Sequence, residues 1–304
     1  MSFSIDPTKP LAEEVRRIAD EQIGKALSEL REPEEDRHEA IHDVRKRAKK
    51  LRALLRLVRD GDEGLYRREN ARLRDLAGRL SGTRDRTALI EAAEGLSEAL
   101  GGEGGPLRPV REVLEQRRDA AVAAEGDLDA AIAATIAELE ESEARVEAAA
   151  FGKADRRIVA RGYARNYAEA RRALKVAERS GKPDDFHELR KRAKYYMNHL
   201  RLLSELWPDA LKPLHDTAER VAEDLGRDHD YAVLLAEIAA EPEAFGPQAE
   251  RETAVGLIAE HSAELRAQAL SASRRLFALK PKASRRQIES LWREAARPQP
   301  TPSV

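Results

Sequence analysis

The sequence predicts an all-α protein made of two homologous helical bundles related by a pseudo-two-fold axis, and three observations lead there. Aromatic residues make up 4% of the 304 positions and charged residues 36%, a composition that suits long amphipathic helices better than sheets of β-branched residues. Apolar residues recur at helical spacing wherever the chain is not punctuated by Gly or Pro. An offset of 145 residues also lays one half of the chain on the other.

That offset aligns HDVRKRAKKLRALLRL, His42 to Leu57, with HELRKRAKYYMNHLRL, His187 to Leu202, and nine of the sixteen positions are identical without a gap. It goes on to pair Leu80 with Leu225, Asp85 with Asp230 and Leu89 with Leu234. A period this long is not that of a solenoid and implies a duplicated unit. The expected organisation is a first repeat over residues 10–150, a second over 151–280, and a helix end with a disordered tail over 281–304.

Punctuation sets the expected elements. Pro10 opens a helix to about Leu30, Pro33 interrupts, and a second helix runs from about Glu35 to Arg59 before Gly61 and Gly64. Helices over 65–80 and 84–99 follow. The run GGEGGPLRP from Gly101 to Pro109 reads as a loop, and a helical stretch with a break at Gly126 leads from Val110 to Ala150. In the second half the spacing predicts helices over 153–179, 184–206, 209–225, 229–240 and 247–279, with Gly226 and Pro281 among the stops. No strand is predicted.

Composition removes several classes of function. With no cysteine there can be no disulfide, thiol nucleophile or cysteine-ligated zinc. The opening MSFSIDPTKP lacks the pattern of a signal peptide, and no apolar run approaches the ~18 residues of a membrane span, so no membrane partner and a cytoplasmic location are expected. The net charge of −2 conceals a strong separation. Residues 37–59 carry nine basic against two acidic side chains, and residues 125–147 carry eight acidic against one basic. A binding face responds to charge within about 8–10 Å, so the local patch matters more than the total.

The basic segment has a definite pattern. Ile41, Val44, Ala48, Leu51, Leu55 and Val58 form an apolar stripe, and one residue further on stand His42, Arg45, Lys49, Arg52, Arg56 and Arg59 at the same spacing. A cationic stripe therefore flanks the apolar one, about 100° around the helix. The second copy repeats it with His187, Arg190, Lys194 and Arg201, while Met197 replaces the counterpart of Arg52. Lys46 and Lys191 recur beside the stripe and are counted with it. So many cations without interleaved acids repel one another along the helix, which an anionic ligand would relieve. Arginine supplies bidentate donors to phosphate oxygens, lysine a mobile charge and histidine a charge that an anion can recruit. A basic helix face is often only solvated, but its duplication argues for a shared ligand.

Other signals are weaker. His38-Glu39-Ala40-Ile41-His42 fits the zinc-protease pattern H-E-x-x-H, yet the counterparts of His38 and Glu39 are Pro183 and Asp184, so the match is read as coincidence and no metal is expected. Arg67, Asn70 and Arg74 share a helix face as secondary ligand candidates. Arg84 and His229 are each followed by an aspartate, Asp85 and Asp230, read as orienting carboxylates.

The motifs HDVRKRAKKLRALLRLVR, YRRENARLRDLAGRLSGTRD, FHELRKRAKYYMNHLRLLSELWP and EDLGRDHDYAVL resemble the CHAD family, the conserved histidine α-helical domain, over about Pro10 to Leu279. The resemblance implies two helical bundles around a basic central cleft that binds inorganic polyphosphate, often at polyphosphate granules. It implies His42, Arg45, Lys49, Arg52 and Arg56, with His187, Arg190, Lys194 and Arg201, as ligand-binding residues. Met197 departs from a position that is often basic. Some relatives carry a triphosphate-tunnel domain, but this chain lacks its alternating Glu-x-Glu-x-Lys strand, so no hydrolysis and no cofactor are expected. A nucleic-acid binder would use the same cations but should interleave exposed aromatics, for which only Tyr195 and Tyr196 are near. A phosphate-processing enzyme would need a nucleophile or a carboxylate cluster within the stripe, and the sequence offers neither.

Overall fold

The computed structural model describes residues 3–32, 37–80, 82–99, 105, 107–123, 128–149 and 155–297, without the side chains of residues 38, 82–88, 99 and 121–123. Among them the regular structure is helical throughout: α1 (Leu11–Arg31), α2 (Arg37–Val58), α3 (Glu63–Arg79), α4 (Gly82–Ala99), α5 (Arg108–Ala123), α6 (Leu128–Glu147), α7 (Asp155–Ser180), α8 (Pro183–Leu202), α9 (Pro208–Ala240), α10 (Gln248–Leu276) and α11 (Pro281–Ala295). Short 3-10 turns at Ser204–Leu206 and Pro242–Phe245 precede and follow α9. No described helix is long and apolar enough to cross a membrane.

In the first half α2 packs between α1 and α3, and α6 closes against both of those; in the second, α7, α8, α9 and α10 pack in succession and α11 returns to α7. The predicted apolar stripe is buried as expected, with Val44, Ala48, Leu51, Leu55 and Val58 on α2 and Phe186, Leu189, Ala193, Tyr196 and Leu200 on α8 all inaccessible. These residues belong to one apolar cluster extending from Phe3 to Trp292. A second cluster joins Leu89, Leu96 and Leu114 of α4 and α5 to Leu234 and Ile238 of α9 and to Ile258 of α10. Helices α4 and α5 thus bury their apolar faces on the second half.

Three elements differ from the sequence reading. Gly226 does not end a helix: α9 continues through it for 33 residues. A helical glycine costs about 1 kcal/mol relative to alanine, which packing on both sides of α9 offsets here. Pro281, read as a stop before a helix end, opens the separate helix α11 at its first turn, since a proline lacks only an N–H that the first turn would leave unbonded. Ile288 and Trp292 then bury α11 in the main cluster. The helix predicted over 184–206 ends at Leu202 and tightens into the 3-10 turn. The tail from residue 298 and the loop over 100–104 lie outside the described residues.

Two contacts fix α2 against the second half. The Leu57 carbonyl of α2 lies where a side chain on Gly162 of α7 would begin, and a Cβ there would stand 2.6 Å from the Leu57 carbonyl carbon. The imidazole of His199 on α8 is fully buried and hydrogen-bonds the Ala53 carbonyl at 3.1 Å. Burial pushes its pKa down to about 3, so it stays neutral as a structural group.

Gly162→Ala should therefore destabilise the protein by about 3 kcal/mol, because two backbones must separate. Gly24→Ala, on α1 with open space around its Cα, should stabilise by about 0.5–1 kcal/mol through helix propensity. Urea melts of the two variants read both effects, and similar small changes in both would refute the close approach of α2 and α7.

Candidate functional site

Cations on α2 and α8 form the candidate site, and the way these helices cross decides its shape. Ala53 meets His199, Arg56 stacks on Tyr195, and the charge of Arg201 reaches Lys50. Rising numbers on α2 meet falling numbers on α8, so the two helices cross antiparallel. In the 145-residue offset Lys50 and Tyr195 are counterparts, as are Arg56 and Arg201; the second and third contacts are the same pair of positions with the helices exchanged. His42 and His187 consequently lie toward the outer ends of the two stripes. At 1.5 Å per helical residue the stripes together extend over at most about 35 Å.

On α2, His42 and Arg45 are half-buried and Lys49 is exposed. Arg52 donates from Nε to Asn70 Oδ1 on α3 at 3.1 Å, and burial lowers its pKa. The Arg56 guanidinium lies 4.3 Å from the Tyr195 ring centre and 5.7 Å from that of Tyr66, with Glu169 of α7 at 3.5 Å. Arg59 covers the same Tyr66 ring at 5.5 Å. The tyrosine faces nearest the stripe are thus occupied by the protein's own guanidinium groups.

On α8 the cations lie against α9. The Arg190 guanidinium lies over the buried Gly226 of α9, its Nε and Nη2 atoms 3.4 Å from where a Cβ would stand, an ordinary contact distance. Burial lowers the Arg190 pKa, and Asp230 works against that shift. Lys194 is pushed down to about 8, first by burial and then by the charge of Arg190, against the pull of Asp230 and Glu223. The imidazole of His187 stacks at 4.0 Å on that of His229. Burial, and then His229, Lys191 and Arg190, bring its pKa to about 4, so it is neutral at pH 7. His187 Nδ1 and Arg190 Nε are buried without a hydrogen-bond partner. Met197 is half-buried and packs against the main apolar cluster.

Other candidates are placed elsewhere. Lys46 and Lys191 are exposed and paired along their own helices with Asp43 at 2.8 Å and Glu188 at 2.5 Å. Arg201 is exposed. Arg67 is 74% exposed and pairs with Glu63, and Arg74 pairs with Asp75 at 2.8 Å, although its charge still reaches Arg52. Of the secondary set, Asn70 and His229 touch stripe residues, and of the orienting carboxylates Asp230 acts on Arg190 and Lys194. The side chains of Arg84, Asp85 and His38 lie outside the described residues.

Some participants were absent from the sequence reading. The middle arginine of each copy, Arg47 or Arg192, is a strut: Arg47 pairs with Glu29 of α1, and Arg192 with Glu169 of α7 at 2.5 Å. Their recurrence at matching positions was the available signal. Tyr66 and Glu169 have no counterpart pattern in the other half and could not be picked out. Among the described residues the side chains arranged to share a metal ion are His215, Asp216 and Glu219, on α9 and apart from the stripes; Lys212 already pairs with Asp216 at 2.6 Å.

A search of curated proteins returns no match to this sequence. Solved structures that share its fold include the two that follow. PptA from Streptomyces chartreusis superposes with a TM-score of 0.57 at 17% identity, covering 88% of this chain and 96% of its own. The CHAD domain from the plant Ricinus communis superposes with a TM-score of 0.59 at 17% identity, covering 91% and 95%. The family model of the CHAD domain matches residues 11–239, three quarters of the sequence, and the chain therefore belongs to the CHAD-domain family.

Proposed function

We propose that the protein binds inorganic polyphosphate along the two cationic stripes, which serve as one track about a pseudo-two-fold axis at the α2–α8 crossing. The observation that carries this reading is the state of the α8 cations. Arg190 and Lys194 lie half-buried beside each other, and burial depresses the pKa of both. Holding positive charge in that setting is unfavourable, and a polyanion lying along the helix would reverse the sign of the local potential. A linear chain of phosphates suits an elongated row of donors better than a compact anion does. Among the described residues Tyr195 and Tyr66 each carry a guanidinium of the stripe, which makes them poorer platforms for a nucleobase and favours a ligand made of phosphate alone. We further propose that the protein is a binder and not a hydrolase, with a granule-associated or polyphosphate-sensing role.

Charge reversal tests the track. Arg45→Glu with Arg190→Glu should lower affinity for long-chain polyphosphate by at least about a hundredfold and flatten its salt dependence, since log affinity falls with log salt roughly in proportion to the phosphates neutralised. The milder pair Arg45→Gln and Arg190→Gln should cost about tenfold with helicity unchanged by circular dichroism. Reversing Arg108 and Arg274, exposed and outside the stripes, should change affinity less than about threefold. Equal losses from both pairs would reduce the effect to diffuse attraction. In the same mixtures, release of orthophosphate at catalytic turnover would refute the binder assignment.

The pKa shifts also fix the sign of a pH dependence. An anion raises the pKa of a cation it touches, so binding takes up a proton wherever the free site is deprotonated and the bound one is not, and affinity rises as pH falls. For Lys194, with a free-state pKa of about 8, this should appear above about pH 8 and level off below it; for His187, at about 4, it should appear below pH 7. Titrations of Lys194→Gln and His187→Gln should lose the alkaline and acidic limbs respectively. A flat profile in the parent protein would contradict the assignment of both groups.

A further inference from the structure

A second concentration of positive charge lies beyond the end of α2 and is not part of the track. A basin of about 630 Å³ opens between α7 and α11 and is lined by Arg161 and Arg165 of α7, Lys282 and Arg285 of α11, and Asp60 after α2. Four cations face one carboxylate. Arg165 is paired with that carboxylate at 2.8 Å, and among the described residues the buried Arg285 Nε has only Glu289 of its own helix at 3.5 Å, an ion pair without a hydrogen bond. Neither Arg161 nor Lys282 has an ion pair or a side-chain hydrogen bond among the described residues. The 145-residue offset gives Arg16, Asp20, Ala137 and Glu140 as counterparts of the four cations, so the matching positions of the first half carry more acid than base. There Arg16 is held by Glu147 at 3.9 Å and by the Ala149 carbonyl. The basin is therefore not a by-product of the duplication.

Its chemistry selects a small ligand. The size falls within the usual range for small-molecule sites, and the first turn of α11 adds the positive end of a helix whose leading N–H groups have no side-chain cap. Two arginines offer planar forks and Lys282 a mobile charge, a donor set suited to phosphoryl oxygens. We propose that this basin is a separate binding site for a compact phosphate anion of the pyrophosphate type, with Arg161 and Lys282 as its principal ligands and Asp60 holding Arg165 in place. The site stands on α7 and α11 and does not depend on how the stripes are used.

Calorimetric titration with pyrophosphate tests it, starting from the stripe-weakened Arg45→Glu, Arg190→Glu protein so that the track contributes little. That protein should still bind pyrophosphate, and adding Arg161→Ala with Lys282→Ala should weaken binding about tenfold or more, as expected for the loss of two charge-assisted contacts. Arg161→Ala with Lys282→Ala alone should leave affinity for long-chain polyphosphate within about threefold of the parent. The proposal is overturned if the stripe-weakened protein no longer binds pyrophosphate, if the added substitutions leave binding unchanged, or if they remove polyphosphate binding as well. Because the probe is pyrophosphate, failure of the polyphosphate reading would leave this result standing.

Discussion

Helix α2 has to be buried on one side and charged on the side next to it, and the protein meets that demand by bringing α2 to backbone contact with α7 at Gly162. With the Leu57 carbonyl seated on a glycine, the neighbouring Ala53 carbonyl reaches the buried imidazole of His199, and the last turns of α2 cross α8 antiparallel. The setting of the last cations of the α2 stripe follows from this crossing. Arg56 falls on the face of Tyr195, and Arg52 turns toward Asn70. The apolar stripe contributes the burial that holds the arrangement, and the cations are carried into place by helical geometry.

This placement has an electrostatic cost that the fold distributes. Arg47 and Arg192 are neutralised by Glu29 and Glu169, so one arginine of each motif serves the scaffold. Lys46 and Lys191 turn to acids on their own helices. The charges left least compensated on α8 are those facing α9, where Arg190 and Lys194 share the influence of Asp230 and where His187 gives up its proton. On the proposed reading a polyanion would supply negative charge here, and part of its binding energy would be relief of repulsion already present. The same logic applies at the α7–α11 basin, with a different geometry and a smaller ligand.

Much of this was legible in the sequence because helical periodicity and the 145-residue repeat are both one-dimensional signals. The alternation of Val44, Ala48 and Leu51 with Arg45, Lys49 and Arg52 states which face is core and which is charged before any neighbour is known. The antiparallel crossing was not legible, because it depends on one glycine of α7 meeting one carbonyl of α2, and nothing local marks Gly162 among the other glycines. Gly226 was misread for the opposite reason: a helix breaker by propensity, it is buried inside α9, where tertiary packing outweighs its local preference. Pro281 likewise admits two readings, stop or start, and only the burial of Ile288 and Trp292 decides between them. The basin was invisible in sequence since its cations come from separate helices and one of those helices was unforeseen.

The most direct test of the central claim is a crystal structure of the protein with a polyphosphate chain long enough to reach along both stripes. The account predicts continuous phosphate density that passes Arg45 and Arg52 on α2, crosses beside Arg56 and Tyr195, and continues past Lys194 and Arg190 to His187. Density confined to one helix, or lying away from the crossing of α2 and α8, would contradict it.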